Sequence, residues 1–166
     1  MFPAPPAHAL ARNLARALAS SPEFRGACFV RFGRDPSIFL DSTGARDWDD
    51  LYPFAVVYAA SESFGRGART LAVNVLLCTR ALGDDPGSAK PVLDEAGGFF
   101  ELPAAEALQD FAAGVVRAVR DSEIGAVLDD WSADWDFGSE WPEQSALLTF
   151  NYRNDFAYTH TPTQKG

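Results

Sequence analysis

The residues whose types could do chemistry are two histidines, two cysteines, a glycine-arginine segment and an acidic block rich in tryptophan. A catalytic triad needs a histidine held by an acid beside a nucleophile. His8 stands near a helix start and His160 in a polar tail, so both read as surface residues. The chain has no GxSxG, no HExxH and no P-loop pattern. Cys28 and Cys78 stand 50 residues apart in apolar runs, without CxxC spacing. They are expected to be reduced core thiols, which implies a reducing compartment. Phe64-Gly-Arg-Gly-Ala-Arg69 has the composition of a phosphate cradle. A phosphate loop leads from a strand into a helix N-terminus, where amides and dipole converge. This one leads into a strand and reads as a hairpin turn carrying Arg66 and Arg69.

The acidic block is the sharpest feature. From Asp121 to Glu143 there are eight acids (Asp121, Glu123, Asp129, Asp130, Asp134, Asp136, Glu140 and Glu143) and no base. Asp134-x-Asp136-x-Gly138 begins like a calcium loop, but its glycine comes one position early and the bidentate Glu at the twelfth position is missing. No tightly held metal and no cofactor are expected; the carboxylates read as a solvated strand face. Glycosidase chemistry needs two carboxylates across a cleft, and nothing in the sequence places them so. Trp131, Trp135 and Trp141 crowd the same block beside Phe137. Tryptophan is enriched at interface hot spots as well as in cores, so part of the cluster is a candidate partner surface.

The elements that must position these residues follow from periodicity. Ala7, Leu10, Ala11, Leu14, Ala17 and Leu18 recur at helical spacing, which predicts a helix ending at Ser20-Ser21-Pro22. Gly26 to Phe32 (GACFVRF) is rich in strand formers and predicts a strand, with a turn at residues 33–37 and a short strand at Ile38–Leu40. Phe54–Ala60 and Thr70–Thr79 predict two antiparallel strands joined by the segment 61–69. Leu71, Val73, Val75 and Leu77 share one face of the second. Residues 83–98 form a long polar loop. Leu102–Asp121 predicts the best helix, with Leu108, Phe111, Ala112, Val115 and Val119 as its buried stripe. Trp131, Ala133, Trp135 and Phe137 alternate with Ser132, Asp134 and Asp136, the period of a strand with an acidic second face. Residues 138–144 turn the chain into a closing strand, Ser145–Tyr152.

This order predicts an α+β fold: a mostly antiparallel sheet of four to five strands with two helices packed on one face. The 166 residues read as a single domain, with an ordered core over about 7–153 and a polar tail at 159–166. With 47% hydrophobic and 22% charged residues the chain is not of the disordered class. No apolar run approaches the ~20 residues of a membrane span, and Met1–Ser20 lacks the apolar centre of a secretory signal. A net charge of −9 argues against a protein that coats nucleic acid.

Several features together resemble a known family. A helix feeds a hairpin whose first strand is entered through Leu51-Tyr-Pro-Phe-Ala-Val-Val-Tyr58; a charged, glycine-bearing loop follows; the second strand opens Arg69-Thr-Leu-Ala-Val-Asn-Val75. A long loop, one amphipathic helix and the closing strand Ala146-Leu-Leu-Thr-Phe-Asn-Tyr152 complete the order. Over residues 7–153 this resembles the tail-terminator, or tail-completion, proteins of tailed bacteriophages, including those of Mu-like prophages. The resemblance implies a structural protein and not an enzyme. Such a protein caps the tail tube as a ring, often of six subunits, and meets the head connector. It would be cytoplasmic during assembly and then part of the virion tail, with DNA only as a passing polymer and no membrane partner. The expected subunit or partner interface joins Arg66 and Arg69 to Asp129, Asp130, Asp134 and Asp136, with Trp131 and Trp135 beside them. The competing readings are a small binding or adaptor protein using segment 129–143, and a ligand-binding enzyme with a pocket lined by Trp131, Trp135 and nearby carboxylates.

Overall fold

The computed structural model describes residues 6–44, 48, 50–80, 90–91, 100–101, 103–137 and 143–155. Helix α1 (Pro6–Ser20) buries Ala7, Ala11, Leu14 and Leu18, the stripe its spacing predicts.

The segment expected to be a strand at 26–32 is instead the body of a second helix, α2 (Pro22–Phe32). Its ends explain the difference. Ser21 is the N-cap and its side chain accepts a hydrogen bond from the Phe24 N–H at 3.2 Å. Pro22 opens the first turn and Glu23 follows it, where negative charge meets the helix dipole. Gly33 closes the helix at φ 73° and donates its N–H to the Phe29 carbonyl at 2.8 Å. These caps, together with the packing of Phe24 and Cys28 against the core, outweigh the strand propensity of Cys28, Phe29, Val30 and Phe32.

Strand β1 (Ser37–Leu40) pairs parallel with β2 (Phe54–Gly65), which makes the sheet mixed. The pairing of β2 with β3 (Ala68–Arg80) is antiparallel, as expected, and longer than expected. The register shifts once between Ala59 and Ser61, and Arg66 and Gly67 form the turn at φ 50° and 75°. Two central residues with positive φ match the right-handed twist of a hairpin. Lys90–Pro91 (β4) and Phe100–Glu101 (β5) pair with each other; the rest of the long loop expected at 83–98 lies outside the described residues. Helix α3 (Pro103–Asp121) follows, and a 3-10 turn (Glu123–Val127) leads to β6 (Leu128–Asp136). The chain closes with β7 (Glu143–Asp155), which contains Glu143 and Gln144 of the expected turn. Residues 138–142, Trp141 among them, and the tail at 159–166 lie outside the described residues.

The main sheet has the order β1-β2-β3-β7-β6. Helix α1 packs on β1, β2 and β3, and α3 on β3 and β7. Their stripes meet Ala55, Val57, Val73, Val75, Leu77, Ala146, Leu148 and Phe150 in one core, so both helices cover one face. Helix α2 packs on α3, where Phe111 stacks on Phe24 at 5.8 Å and meets the edge of Phe32 at 5.7 Å. The fold is α+β, with three α-helices among the described residues where two were expected. On the opposite face Tyr52, Phe54, Val56 and Cys78 form a smaller cluster, with Trp48 against Phe54 at 5.5 Å. Among the described residues no helix is long and apolar enough to cross a membrane.

Candidate functional site

The register of β6 against β7 sorts the acidic block into two faces. Asp130, Ser132, Asp134 and Asp136 stand opposite Asn151, Thr149, Leu147 and Ser145. Trp131, Ala133 and Trp135 stand opposite Phe150, Leu148 and Ala146, the residues under the helices. The sheet therefore carries the carboxylates on its helix-free face and the tryptophans on its helix-covered face. A pocket lined jointly by Trp131, Trp135 and the β6 carboxylates does not form from these positions. Asp129 sits at the register shift between Leu128 and Asp130. Asp130 accepts a hydrogen bond from Asn151 Nδ2 at 2.6 Å. Among the described residues no arginine or lysine is ion-paired with Asp129, Asp130 or Asp134.

Among the described residues strand β6 is an edge of the sheet, and its aromatic face is only partly covered. Trp131 is 45% exposed and Trp135 41%. Trp135 stacks on Phe137 with ring centres 5.5 Å apart. Trp131 borders an open groove of about 500 Å³ whose other wall is α3, with Ala113, Val116, Arg117 and Arg120. A smaller cleft on the helix-free face, about 150 Å³, is lined by Trp48, Tyr52, Cys78, Asp136 and Glu143. It mixes aromatic and acidic groups, but it falls below the ~300 Å³ at which ordinary ligand pockets begin.

The two arginines of the hairpin differ in kind. Arg66 is at the tip, exposed, with no ion pair among the described residues. Arg69 is drawn back into the hairpin: its Nε lies 3.8 Å from Glu62 Oε1 across the strands. The other oxygen of Glu62 accepts the Ala7 N–H at 3.2 Å, tying the base of the hairpin to the start of α1. Arg69 is thus a structural residue of the arm, and of the two arginines only Arg66 is presented outward.

His8 has a partner that the sequence did not disclose. Its Nδ1 lies 3.5 Å from Asp41 Oδ1, and its Nε2 lies 3.5 Å from an Arg12 nitrogen. His8, read from the sequence as a surface residue, gains this acidic neighbour because β1 brings Asp41 back to the start of α1. His160 lies outside the described residues. Both cysteines are buried, and burial pushes each thiol up to about 12 from an ordinary 9.0, which leaves them protonated and poor nucleophiles near neutral pH. Among the described residues no three His, Cys, Asp or Glu side chains converge to hold a metal ion.

Other surfaces have no counterpart in the sequence reading. Helix α2 exposes Phe29 (58%) and Val30 (87%) beside an α2–α3 groove of about 600 Å³. That surface was missed because the segment reads as a strand; Ser21-Pro22-Glu23 with Gly33 was the signal that could have found it. Scanned against protein-family models and searched against curated proteins, the chain matches none.

Proposed function

We propose that this chain is a structural component of a phage or prophage tail, one that closes the tail tube as a ring of identical subunits and joins it to the head connector. The support is the element order on which the resemblance rests, now with its strands paired, together with the division of charge. A ring needs a heterologous interface, in which two different patches of each subunit meet. The single observation that carries the reading is the separation of two such patches: a hairpin arm tipped by Arg66 and an edge strand bearing Asp130, Asp134 and Asp136. Opposite charges steer and register subunits even where they add little affinity. The acidic helix-free face also suits a bore through which DNA passes without sticking, because like charges repel. The reading assigns the protein no catalytic step, no metal and no cofactor.

The test is sedimentation with purified tail tubes. The protein is expected to co-sediment with tubes at low salt and to sit at one end of them in electron micrographs. A protein that stays in the supernatant at every salt concentration, or that coats tubes along their length, contradicts the reading.

A further inference from the structure

Among the described residues the sheet ends in two strand edges that complement each other. On one side, β1 pairs with β2 only over Phe54–Val57, and Asp41 N donates to the Val57 carbonyl just beyond. From Tyr58 to Gly65 the outer edge of β2 has no strand beside it among the described residues. On the other side, β6 has β7 on one edge and, among the described residues, nothing on the other, from Leu128 to Asp136. The two stretches are of near-equal length. Unpaired edges present backbone N–H and C=O groups that readily take another strand.

The faces match as well. Ser61 pairs with Ala72, which pairs with Asn151, which pairs with Asp130, so Ser61 and Ser63 share the face of the β6 carboxylates. Glu62 pairs with Leu71 and Phe64 with Arg69, which puts Phe64 on the face of Trp131 and Trp135. Phe64 is 65% exposed, a large apolar group at the solvent-facing end of the arm. If two copies join their sheets with helices on the same side, hydroxyl donors meet carboxylates on one face and Phe64 meets the tryptophans on the other.

Charge decides which edges meet. Two β6 strands paired about a two-fold axis would place the aspartates of both copies on one face as cross-strand neighbours, which is destabilising. The arm, by contrast, carries one carboxylate, Glu62, already held by Arg69 and the Ala7 N–H, and one outward cation, Arg66. We propose that the outer edge of the β2 arm, Tyr58–Gly65, adds as a strand to the β6 edge of a second copy of this chain, continuing the sheet from subunit to subunit. This deepens the ring reading and rests on it. It adds to the contact between charged patches a backbone-paired interface whose faces are fixed.

The test is disulfide trapping in the full chain, where the buried native thiols stay out of the reaction. Ser61→Cys or Ser63→Cys is combined with Ser132→Cys or Asp134→Cys, four double variants that share a face in every register. Ser63→Cys with Trp131→Cys is the crossed-face control. Each is oxidised on tail tubes and free in solution, beside a mass measurement on the reduced protein. The expected result is a ladder of linked multimers for at least one same-face pair, single variants stopping at dimers, and no ladder for the crossed pair. Assembly without a ladder from any same-face pair, or with an equal ladder from the crossed pair, overturns the edge-to-edge interface and leaves the ring standing. A protein that is monomeric under all conditions overturns both.

Discussion

Asp130 and Trp131 are neighbours in the chain and stand on opposite faces of the sheet, the first across from Asn151 and the second across from Phe150. The acidic-aromatic block is therefore two surfaces back to back. A ligand that needs both a carboxylate and an indole would have to wrap around the edge of β6. A strand laid along that edge meets the two at once, one on each side.

The caps of α2 should be measurable in stability. Ser21→Ala removes the side-chain acceptor of the Phe24 N–H and is expected to cost about 1 kcal/mol in urea unfolding. Gly33→Ala puts a side chain at φ 73°, where nothing crowds it but the backbone itself disfavours it, at a cost of roughly 1 kcal/mol. If neither variant shifts the unfolding midpoint, residues 22–32 are not the capped helix described here.

Phe111 and Phe29 should behave as opposites. Phe111 is buried between α3 and α2, stacked on Phe24, so Phe111→Ala is expected to destabilise by about 3–5 kcal/mol. Phe29 points away from that contact, and Phe29→Ala should leave the unfolding midpoint nearly unchanged while reducing binding of a hydrophobic dye. Equal losses for the two would mean that α2 is rotated about its axis.

The junction after α3 depends on a missing side chain. A Cβ at Gly125 would lie 2.2 Å from the Arg120 carbonyl oxygen. Gly125→Ala must displace the turn that leads into β6, at an expected cost of about 1–3 kcal/mol. A stability equal to that of the parent protein would contradict this close approach.

Stability should fall in alkaline solution. Burial raises Cys28 and Cys78 to about 12 from 9.0, and Tyr152 to about 12 from 10.0. Below the unfolded values both states keep these protons and the groups contribute no pH dependence. Above about pH 9 the unfolded chain releases protons that the folded chain holds, so the free energy of unfolding falls as pH rises. The check is a thiol reagent at about pH 8, where native protein should react far more slowly than protein in urea. Equal rates would place the thiols at the surface.

Much of this was legible from residue order. The alternation from Trp131 to Asp136 gives β6 and its two faces, and the spacing of Leu108, Phe111, Ala112, Val115 and Val119 gives the buried stripe of α3. Both are repeats of a single element, which local periodicity encodes. What was hidden depends on pairs far apart in sequence. The parallel pairing of Ile38 with Ala55, the meeting of His8 with Asp41 and the capture of Arg69 by Glu62 all require the sheet to be assembled first. Helix α2 was hidden differently: Cys28, Phe29, Val30 and Phe32 favour a strand, and only the capping residues at its two ends contradict them.

Arg66 offers the cleanest variant for assembly, because Arg69→Glu would also break the pair with Glu62 inside the arm. Arg66→Asn removes the charge and keeps a residue suited to positive φ ahead of Gly67. It is expected to leave the unfolding midpoint unchanged or higher while weakening self-association. Undiminished association in this variant would take Arg66 out of the interface.

The most direct measurement is the mass of the assembled protein, by native mass spectrometry and light scattering across a salt series, alone and on tail tubes. The account predicts one closed oligomer of a fixed subunit number, weakened by salt and by Arg66→Asn. A monomer in all these conditions, or an open-ended series of sizes that never closes, would contradict it.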